Sequence, residues 1–332
     1  MEFMALLGAL FFGFVPAFLF AMFLYWLDRY EKEPKILLGA TFLWGCVVAA
    51  GGAFVINTVM GIGVYLFTGS ESATDLTTGS IIAPIVEETL KGLAVFIVFL
   101  FFRKEFDSIL DGMIYGGVVA LGFAATENAF YIYDRGFSQS GWGGFWFLVL
   151  VRVVLVGWQH PFYTAFTGIG FAASRMSRNV LAKIFAPLAG LGMAMLTHSF
   201  HNTFASLVNG WGGLAVGTLL DWSGWFLMLI FTIWMIVREG RLLPKHLQEE
   251  VEAGRLTAAQ LQIAASPFGA SQASLSALTN GRYRATTRFY QVCGELAHKK
   301  EQFLLHDDDP GNLAIIEKLR LELASLSPQV SQ

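Results

Sequence analysis

Long apolar runs separated by short polar segments dominate the first 237 residues of the chain. A helix that crosses a bilayer needs roughly 20 predominantly apolar residues, and seven runs reach that length. The fifth run is long and contains Gly157 and Pro161, which weaken a helix locally, so we expect a bend there; splitting that run into two spans is the alternative. The seven predicted spans are 4–27, 36–67, 80–102, 109–133, 145–173, 184–209 and 213–237.

Composition separates the chain into two parts. Hydrophobic residues make up 55% of the sequence and charged residues 14%, whereas soluble domains average about 25% charged. Residues 238–332 nevertheless hold eleven Lys or Arg and eleven Asp or Glu. We therefore predict an all-α fold: a polytopic membrane helical bundle of about seven transmembrane helices over residues 1–240, followed by a small soluble helical tail over 241–332.

Basic residues in the loops predict the orientation. By the positive-inside rule, loops rich in Lys and Arg stay in the cytoplasm. Every second loop is basic, and the loops between them hold only Arg135. We expect a multi-pass protein of the cell membrane with its N-terminus outside and its tail in the cytoplasm. The basic loop residues are Arg29, Lys32, Lys35, Arg103, Lys104, Arg175, Arg178 and Lys183.

Several ionisable residues fall inside the predicted spans. A charge at the bilayer centre costs about 2.5–3.5 kcal/mol on insertion scales, so such residues usually face the bundle interior and mark a functional site. The phenylalanines and tryptophans fit lipid-facing positions. The acids and bases are Glu87, Glu88, Lys91, Asp111, Glu127, Arg152 and Asp221, and the histidines are His160, His198 and His201.

Spacing arranges these groups on helix faces. Glu87 and Glu88 precede Lys91 by four and three residues, so the lysine can offset part of their charge. His198 and Asn202 are four apart and share a face, whereas His201 lies off that face and fits a structural role. Arg152 and Asp221 are expected to pair with each other or with the cluster. His306 and Asp307 to Asp309 resemble a metal site but fit a helix cap better.

Counting residues along each span places the groups at a common depth. With the rise of an α-helix, Glu87, Glu127, His198 and Asn202 lie roughly 9–16 Å below the outer edge of the membrane. His160 lies roughly 22 Å deep by the same count, which ignores the expected bend. The outer half of the bilayer is therefore the predicted place of the site.

Four ordered motifs resemble the PrsW family of intramembrane proteases, which is related to the CAAX prenyl endopeptidases and to bacteriocin-processing proteins. The resemblance covers about residues 10–210, and the polar turn over 28–34 is similar as well. It implies proteolysis of a membrane-anchored protein substrate, anti-sigma-factor-like in bacteria, within the lipid bilayer and without nucleic acid. The motifs are Glu87-Glu88-x-x-Lys91, Phe123-x-x-x-Glu127, His160 and His198-x-x-x-Asn202.

Two mechanisms use the same residues. Peptide hydrolysis needs an activated water, an oxyanion donor and a proton for the leaving amine. The preferred hypothesis makes Glu87 or Glu88 the general base with no cofactor required. The second binds zinc or another divalent metal, although the HExxH motif of zincins is absent. The predicted catalytic residues are Glu87, Glu88, Glu127, His160 and His198, with Lys91 and Asn202 in support; the predicted metal ligands are Glu88, Glu127, His160 and His198.

Two other functions stay open at this point. Intramembrane carboxylates and histidines also serve as proton relays in transporters, although no inverted repeat is visible in this sequence. A non-catalytic membrane scaffold, with the tail as its working part, is the remaining alternative.

Overall fold

The computed structural model describes residues 1–207, 210–306 and 311–330. Within these ranges all regular structure is helical, which confirms the all-α prediction. The side chain of His306 and residues Asp307 to Asp309 lie outside the described residues. The helices are α1 (Glu2–Leu27), α2 (Lys35–Trp44), α3 (Ala50–Thr68), α4 (Glu71–Thr77), α5 (Ala83–Phe101), α6 (Ile109–Phe130), α7 (Ser138–Val149), α8 (Gln159–Met176), α9 (Val180–Leu207), α10 (Gly210–Gly240), α11 (Leu242–Glu252), α12 (Ala258–Ala265), α13 (Gly269–Ser276), α14 (Tyr283–His306) and α15 (Asn312–Val330).

Several helices are long and apolar enough to cross a membrane, so the chain is a multi-pass membrane protein. Among the described residues they form five stretches, and the predicted count of seven is not confirmed. The fourth and fifth predicted spans fall into one stretch, and the third coincides with α5, whose 19 residues include three charged side chains. The stretches are Glu2–Leu27, Lys35–Thr68, Ile109–Met176, Val180–Leu207 and Gly210–Glu252.

The helix that carries the paired glutamates begins earlier than predicted. The Ser70 side chain accepts a hydrogen bond from the Ala73 N–H (3.3 Å) and caps α4, and a π-helical segment, Thr78–Ile82, joins α4 to α5. The helical run therefore starts at Glu71 rather than near residue 80. Glu87 lies roughly 24 Å along the run from this start, so the depth counted from residue 80 is not reliable. Hydropathy detects only the apolar part of such a helix.

The fifth predicted span is bent, as expected from its sequence. A π-helical segment, Leu150–Leu155, follows α7, and the helix then stops until α8 begins at Gln159. Gly157 lies in this break, where a Cβ would come within 2.4 Å of the Val153 carbonyl oxygen, so a side chain does not fit.

Both halves of the bent span run antiparallel to the preceding helix. Helices α6 and α8 approach so closely that a Cβ on Gly168 would lie 1.8 Å from the Gly112 carbonyl oxygen. Residue numbers rise along the bent span while those of the facing residues fall, and this holds on both sides of the break. The chain therefore bends at the break and does not reverse its direction. The facing pairs are Gly136 with Gly144, Gly116 with Thr164, and Gly112 with Gly168.

The chain separates into two compact units. One contains Met1–Trp26 and Glu33–Ile230, and the other contains Leu27–Lys32 and Phe231–Gln332. In the second unit the short segment after α1 packs against tail helices: the Tyr30 carbonyl oxygen would lie 1.6 Å from a Cβ on Gly294, and Glu31 Oε2 lies 3.2 Å from His298 Nδ1. The domain boundary at residue 240 stays a prediction.

Candidate active site

Glu88 lies at the centre of a buried polar cluster between α5, α8 and α9. Its Oε1 accepts hydrogen bonds from Lys91 Nζ (2.5 Å) and from His198 Nδ1 (2.9 Å). Its Oε2 accepts a bond from the Thr164 hydroxyl (2.8 Å). Glu88 and Lys91 have no exposed surface, so their charges depend on each other. Both oxygens of this carboxylate are therefore occupied.

Glu127 forms a second carboxylate–histidine pair. Its Oε2 lies 2.9 Å from His160 Nε2 and also accepts a hydrogen bond from Arg152. Arg152 Nε donates to the Asn128 side-chain oxygen (2.9 Å), and its guanidinium lies over the Tyr131 ring. Arg152 thus pairs with the cluster, which was one of its two predicted partners.

The two histidines face each other across the cluster. The ring centroids of His160 and His198 are 5.1 Å apart with the planes nearly perpendicular. Each ring has one nitrogen on a carboxylate, His198 on Glu88 and His160 on Glu127. Such a bond fixes the tautomer and the orientation of an imidazole. The other nitrogen then carries the lone pair; for His160 this is Nδ1, which lies 3.2 Å from Lys91 Nζ.

Glu87 differs from Glu88 in having a buried oxygen without a hydrogen-bond partner among the described residues. The residue is 6% exposed, and its Oε1 accepts a long hydrogen bond from Asn57 Nδ2 (3.5 Å). Its Oε2 is buried, has no hydrogen-bond partner in the part of the chain that the structure describes, and lies 3.9 Å from His198 Nε2. Buried polar atoms almost always have partners, so this oxygen indicates a position for a ligand.

The residues at this position fit a metal ion. Glu87, His160 and His198 each offer one ligand atom, and these atoms lie within 4.8 Å of one another. Two imidazole nitrogens and one carboxylate oxygen form the ligand set of many catalytic zinc sites. The structure groups Glu87 with the histidines, whereas the predicted ligand set contains Glu88 and Glu127. Both oxygens of Glu88 and the Oε2 of Glu127 already accept hydrogen bonds from the protein.

The remaining predicted residues lie around this cluster or outside it. The Asn202 side-chain amide donates to the Gly79 carbonyl oxygen (2.9 Å) and so ties α9 to the helix before α5. Asp111 is outside the cluster, where its carboxylate and the Ser108 side chain cap the start of α6. His201 and Asp221 form a separate pair with Nδ1 and Oδ1 3.0 Å apart.

Thr164, which the spacing places on the same helix face as His160, donates to Glu88. Two other contributors escaped the sequence analysis. They are Asn57, which donates to Glu87, and Gln159, which contacts Asp221. Each is an uncharged polar residue inside an apolar run. That is the one signal by which they could have been found, and many such residues serve only to pack helices.

The fold and the site together define a class: a polytopic α-helical membrane protein with a buried glutamate–histidine cluster able to hold a metal ion. Residues 33–237 match the family described as PrsW family intramembrane metalloprotease. The chain belongs to the PrsW family. The resemblance noted in the sequence is thereby confirmed.

Three curated relatives are similar to this chain. Protease PrsW of Geobacillus kaustophilus (strain HTA426) is 24% identical over 165 residues, which is 50% of this chain and 66% of the relative. Protease PrsW of Clostridioides difficile (strain 630) is 37% identical over 109 residues, 32% and 43% of the two chains. Protease PrsW of Bacillus subtilis (strain 168) is 24% identical over 199 residues, 60% and 83%. The chain thus spans less than two thirds of the first two relatives, and no solved structure is a significant match.

Proposed function

We propose that this chain is an intramembrane peptidase that hydrolyses peptide bonds of membrane-anchored protein substrates. In this proposal Glu87, His160 and His198 hold a divalent metal ion, with zinc the first candidate. The observation that carries it is the buried, unpartnered Oε2 of Glu87 beside His198. The family description as a metalloprotease supports the metal-dependent mechanism over the metal-free one that the sequence favoured.

The residues around the proposed ligands fix the tautomer and the orientation of the two histidines. A bound zinc ion supplies Lewis acidity and lowers the pKa of its water to about 7. Glu88 accepts a hydrogen bond from His198 Nδ1–H, which leaves the lone pair of His198 on Nε2, 3.9 Å from Glu87 Oε2. Glu127 does the same for His160 at Nε2. Lys91 balances the negative charge of Glu88 in the buried ion pair.

A metal-free mechanism would assign the base differently from the sequence analysis, which left Glu87 and Glu88 as equal candidates. Glu88 accepts three hydrogen bonds, so both of its oxygens are already bonded within the protein. Glu87 has the free oxygen and would take the proton of the attacking water, then pass it to the leaving amine. Asn202 stays a candidate oxyanion donor through the second hydrogen of its amide.

Three further parts of the proposal rest on other observations. The anti-sigma-factor-like substrate rests on the family resemblance alone. The orientation, with the N-terminus outside and the tail in the cytoplasm, rests on the basic loops. The division into a protease domain over 1–240 and a tail over 241–332 rests on composition and charge.

Zinc content and cleavage test the proposal together. We expect purified protein in detergent to contain about one zinc per chain, to cleave a co-expressed single-pass substrate, and to lose cleavage with a chelator until zinc is returned. Glu87→Gln, His160→Ala and His198→Ala should each lose both zinc and cleavage. Glu71→Gln, on the exposed start of the same helical run, is the matched control and should lose neither.

Other outcomes separate the alternatives. Cleavage that resists the chelator but fails in Glu87→Gln would overturn the metal-dependent part and leave the glutamate mechanism. Normal zinc content and normal cleavage in Glu87→Gln would overturn the whole proposal. Loss of proton-driven solute uptake in vesicles, without any cleavage by the wild type, would identify a transporter. A scaffold would keep its cellular function in all three variants.

A further inference from the structure

The break before α8 leaves a backbone carbonyl without a helical partner. Val156 N–H bonds back to the Val151 oxygen, and Gln159 N–H bonds to the Val156 oxygen (3.1 Å) instead of reaching the Leu155 oxygen. An unsatisfied carbonyl inside a bilayer is costly because no water can bind it. The Trp222 indole N–H, from α10, donates to the Leu155 oxygen at 2.8 Å.

The other side of the break is held by the neighbouring residue of α10. Gln159, the first residue of α8, is buried, and its Nε2 donates to Asp221 Oδ2 at 2.6 Å. The second oxygen of Asp221 bonds to His201 Nδ1 at 3.0 Å, which ties the same carboxylate to α9. Two adjacent residues of α10 therefore hold the two ends of the break.

Close packing of α10 on α8 keeps this arrangement in register. A Cβ on Gly224 would come within 3.0 Å of the Phe162 ring, so this ring of α8 packs directly against the backbone of α10 at the glycine. Gly224 lies three residues after Asp221, on a neighbouring position of one helix face. The residues of this contact on α10 lie outside the four motifs.

We infer that Asp221 and Trp222 form a clamp on the break and act as positioning residues for His160. This inference rests on the proposed function. His160 directly follows Gln159, and its ring must meet both Glu127 and the position beside Glu87. The clamp fixes where α8 starts, and so fixes the distance and the angle of the His160 ring. Neither clamp residue touches the reacting atoms.

Exchanging tryptophan for phenylalanine tests one half of the clamp. Trp222→Phe removes the indole N–H and keeps an aromatic ring, so the Leu155 oxygen loses its partner. Substitutions of residues that support a metal ligand typically lower metal affinity or activity about 10- to 100-fold, and we expect a loss of that size in both zinc affinity and kcat. Trp225→Phe is the matched control, because Trp225 Nε1 has no hydrogen-bond partner among the described residues.

Graded substitution of the carboxylate tests the other half. Asp221→Asn keeps an acceptor for Gln159 and should retain more zinc affinity and kcat than Asp221→Ala, while KM stays within about twofold because substrate contacts are unchanged. Ser223→Ala, on the exposed side of the same helix, should match the wild type. Equal losses in the asparagine and alanine variants, or a change confined to KM, would overturn the positioning role.

Amide hydrogen exchange separates this inference from the proposed function. If the clamp exists, Trp222→Phe and Asp221→Ala speed exchange at residues 156–162 in full-length protein, whether or not zinc or cleavage is found. Unchanged exchange there overturns the clamp even if the wild type is an active protease. A wild type without zinc and without cleavage, but with faster exchange in both variants, overturns the proposed function and leaves the clamp.

Discussion

The buried ion pair of Glu88 and Lys91 supports a quantitative prediction. Their atoms are 2.5 Å apart and both side chains are fully buried. Removing one partner of such a pair leaves an uncompensated charge and costs about 3–5 kcal/mol. Since each 1.36 kcal/mol is tenfold, Glu88→Gln or Lys91→Met should shift the folding equilibrium by about 150- to 5,000-fold.

Removing both charges together should be far less damaging. In the Glu88→Gln, Lys91→Met double variant both charges of the pair are gone, so neither is left uncompensated. The amide oxygen of the glutamine can still accept a hydrogen bond from the Thr164 hydroxyl. We expect the double variant to lose less stability than the sum of the two single losses, by at least about 2 kcal/mol. The double variant should nevertheless lose cleavage, because His198 no longer has a carboxylate at Nδ1.

Reversible unfolding in mixed micelles, followed by circular dichroism, measures these free energies. The control is Asp134→Asn, which breaks an exposed pair with Arg135 at 3.6 Å and should change stability by less than about 1 kcal/mol. If the two single losses add within about 0.5 kcal/mol, the charges do not depend on each other and the reasoning about the cluster is refuted.

Three other predictions concern packing, cysteine reactivity and pH. Gly168→Ala should destabilise the bundle by about 1–3 kcal/mol in the same unfolding assay, whereas Gly192→Ala, which meets open space, should cost nothing. Burial raises the pKa of Cys293 to about 12, so its thiol is protonated at neutral pH. In a variant that lacks Cys46, Cys293 should therefore react with maleimide at pH 7.5 only after unfolding, and labelling of the folded protein would contradict this. The hydrogen bond from Arg288 lowers the pKa of Glu322, so the stabilisation is present above about pH 4.3 and is lost as the pH falls; protection from hydrogen exchange in the tail should show this acid loss in the wild type but not in Glu322→Gln.

Much of the helical fold was predictable because hydropathy reports burial in lipid. The bend at Gly157 was also predictable, since the residue type itself weakens a helix. The true start of the glutamate helix was not, because residues 71–79 are polar and only the Ser70 cap marks the beginning. Partners such as Trp222 for the Leu155 oxygen depend on which helices are neighbours, and a sequence pattern does not contain that information.

The members of the candidate site were predicted better than their arrangement. Spacing placed Lys91 beside the paired glutamates, and that contact exists for Glu88. Which glutamate keeps a free oxygen was not predictable, since the difference comes from Thr164 and His198 on other helices. The structure therefore favours Glu87 over Glu88 as the carboxylate that is open to a ligand.

The segment Leu27–Lys32 changes what a shortened protein would mean. It belongs to the same compact unit as the C-terminal helices, with Arg29 donating to the Ser271 hydroxyl (2.9 Å) and Lys299 Nζ lying 3.4 Å from Glu31. Cutting the chain after Gly240 would strip these partners from a loop that directly follows α1. An inactive fragment would then not show that the tail itself takes part in the activity, because the loop after α1 would have lost its contacts as well. Single substitutions at Ser271 or Lys299 test these contacts without removing the tail.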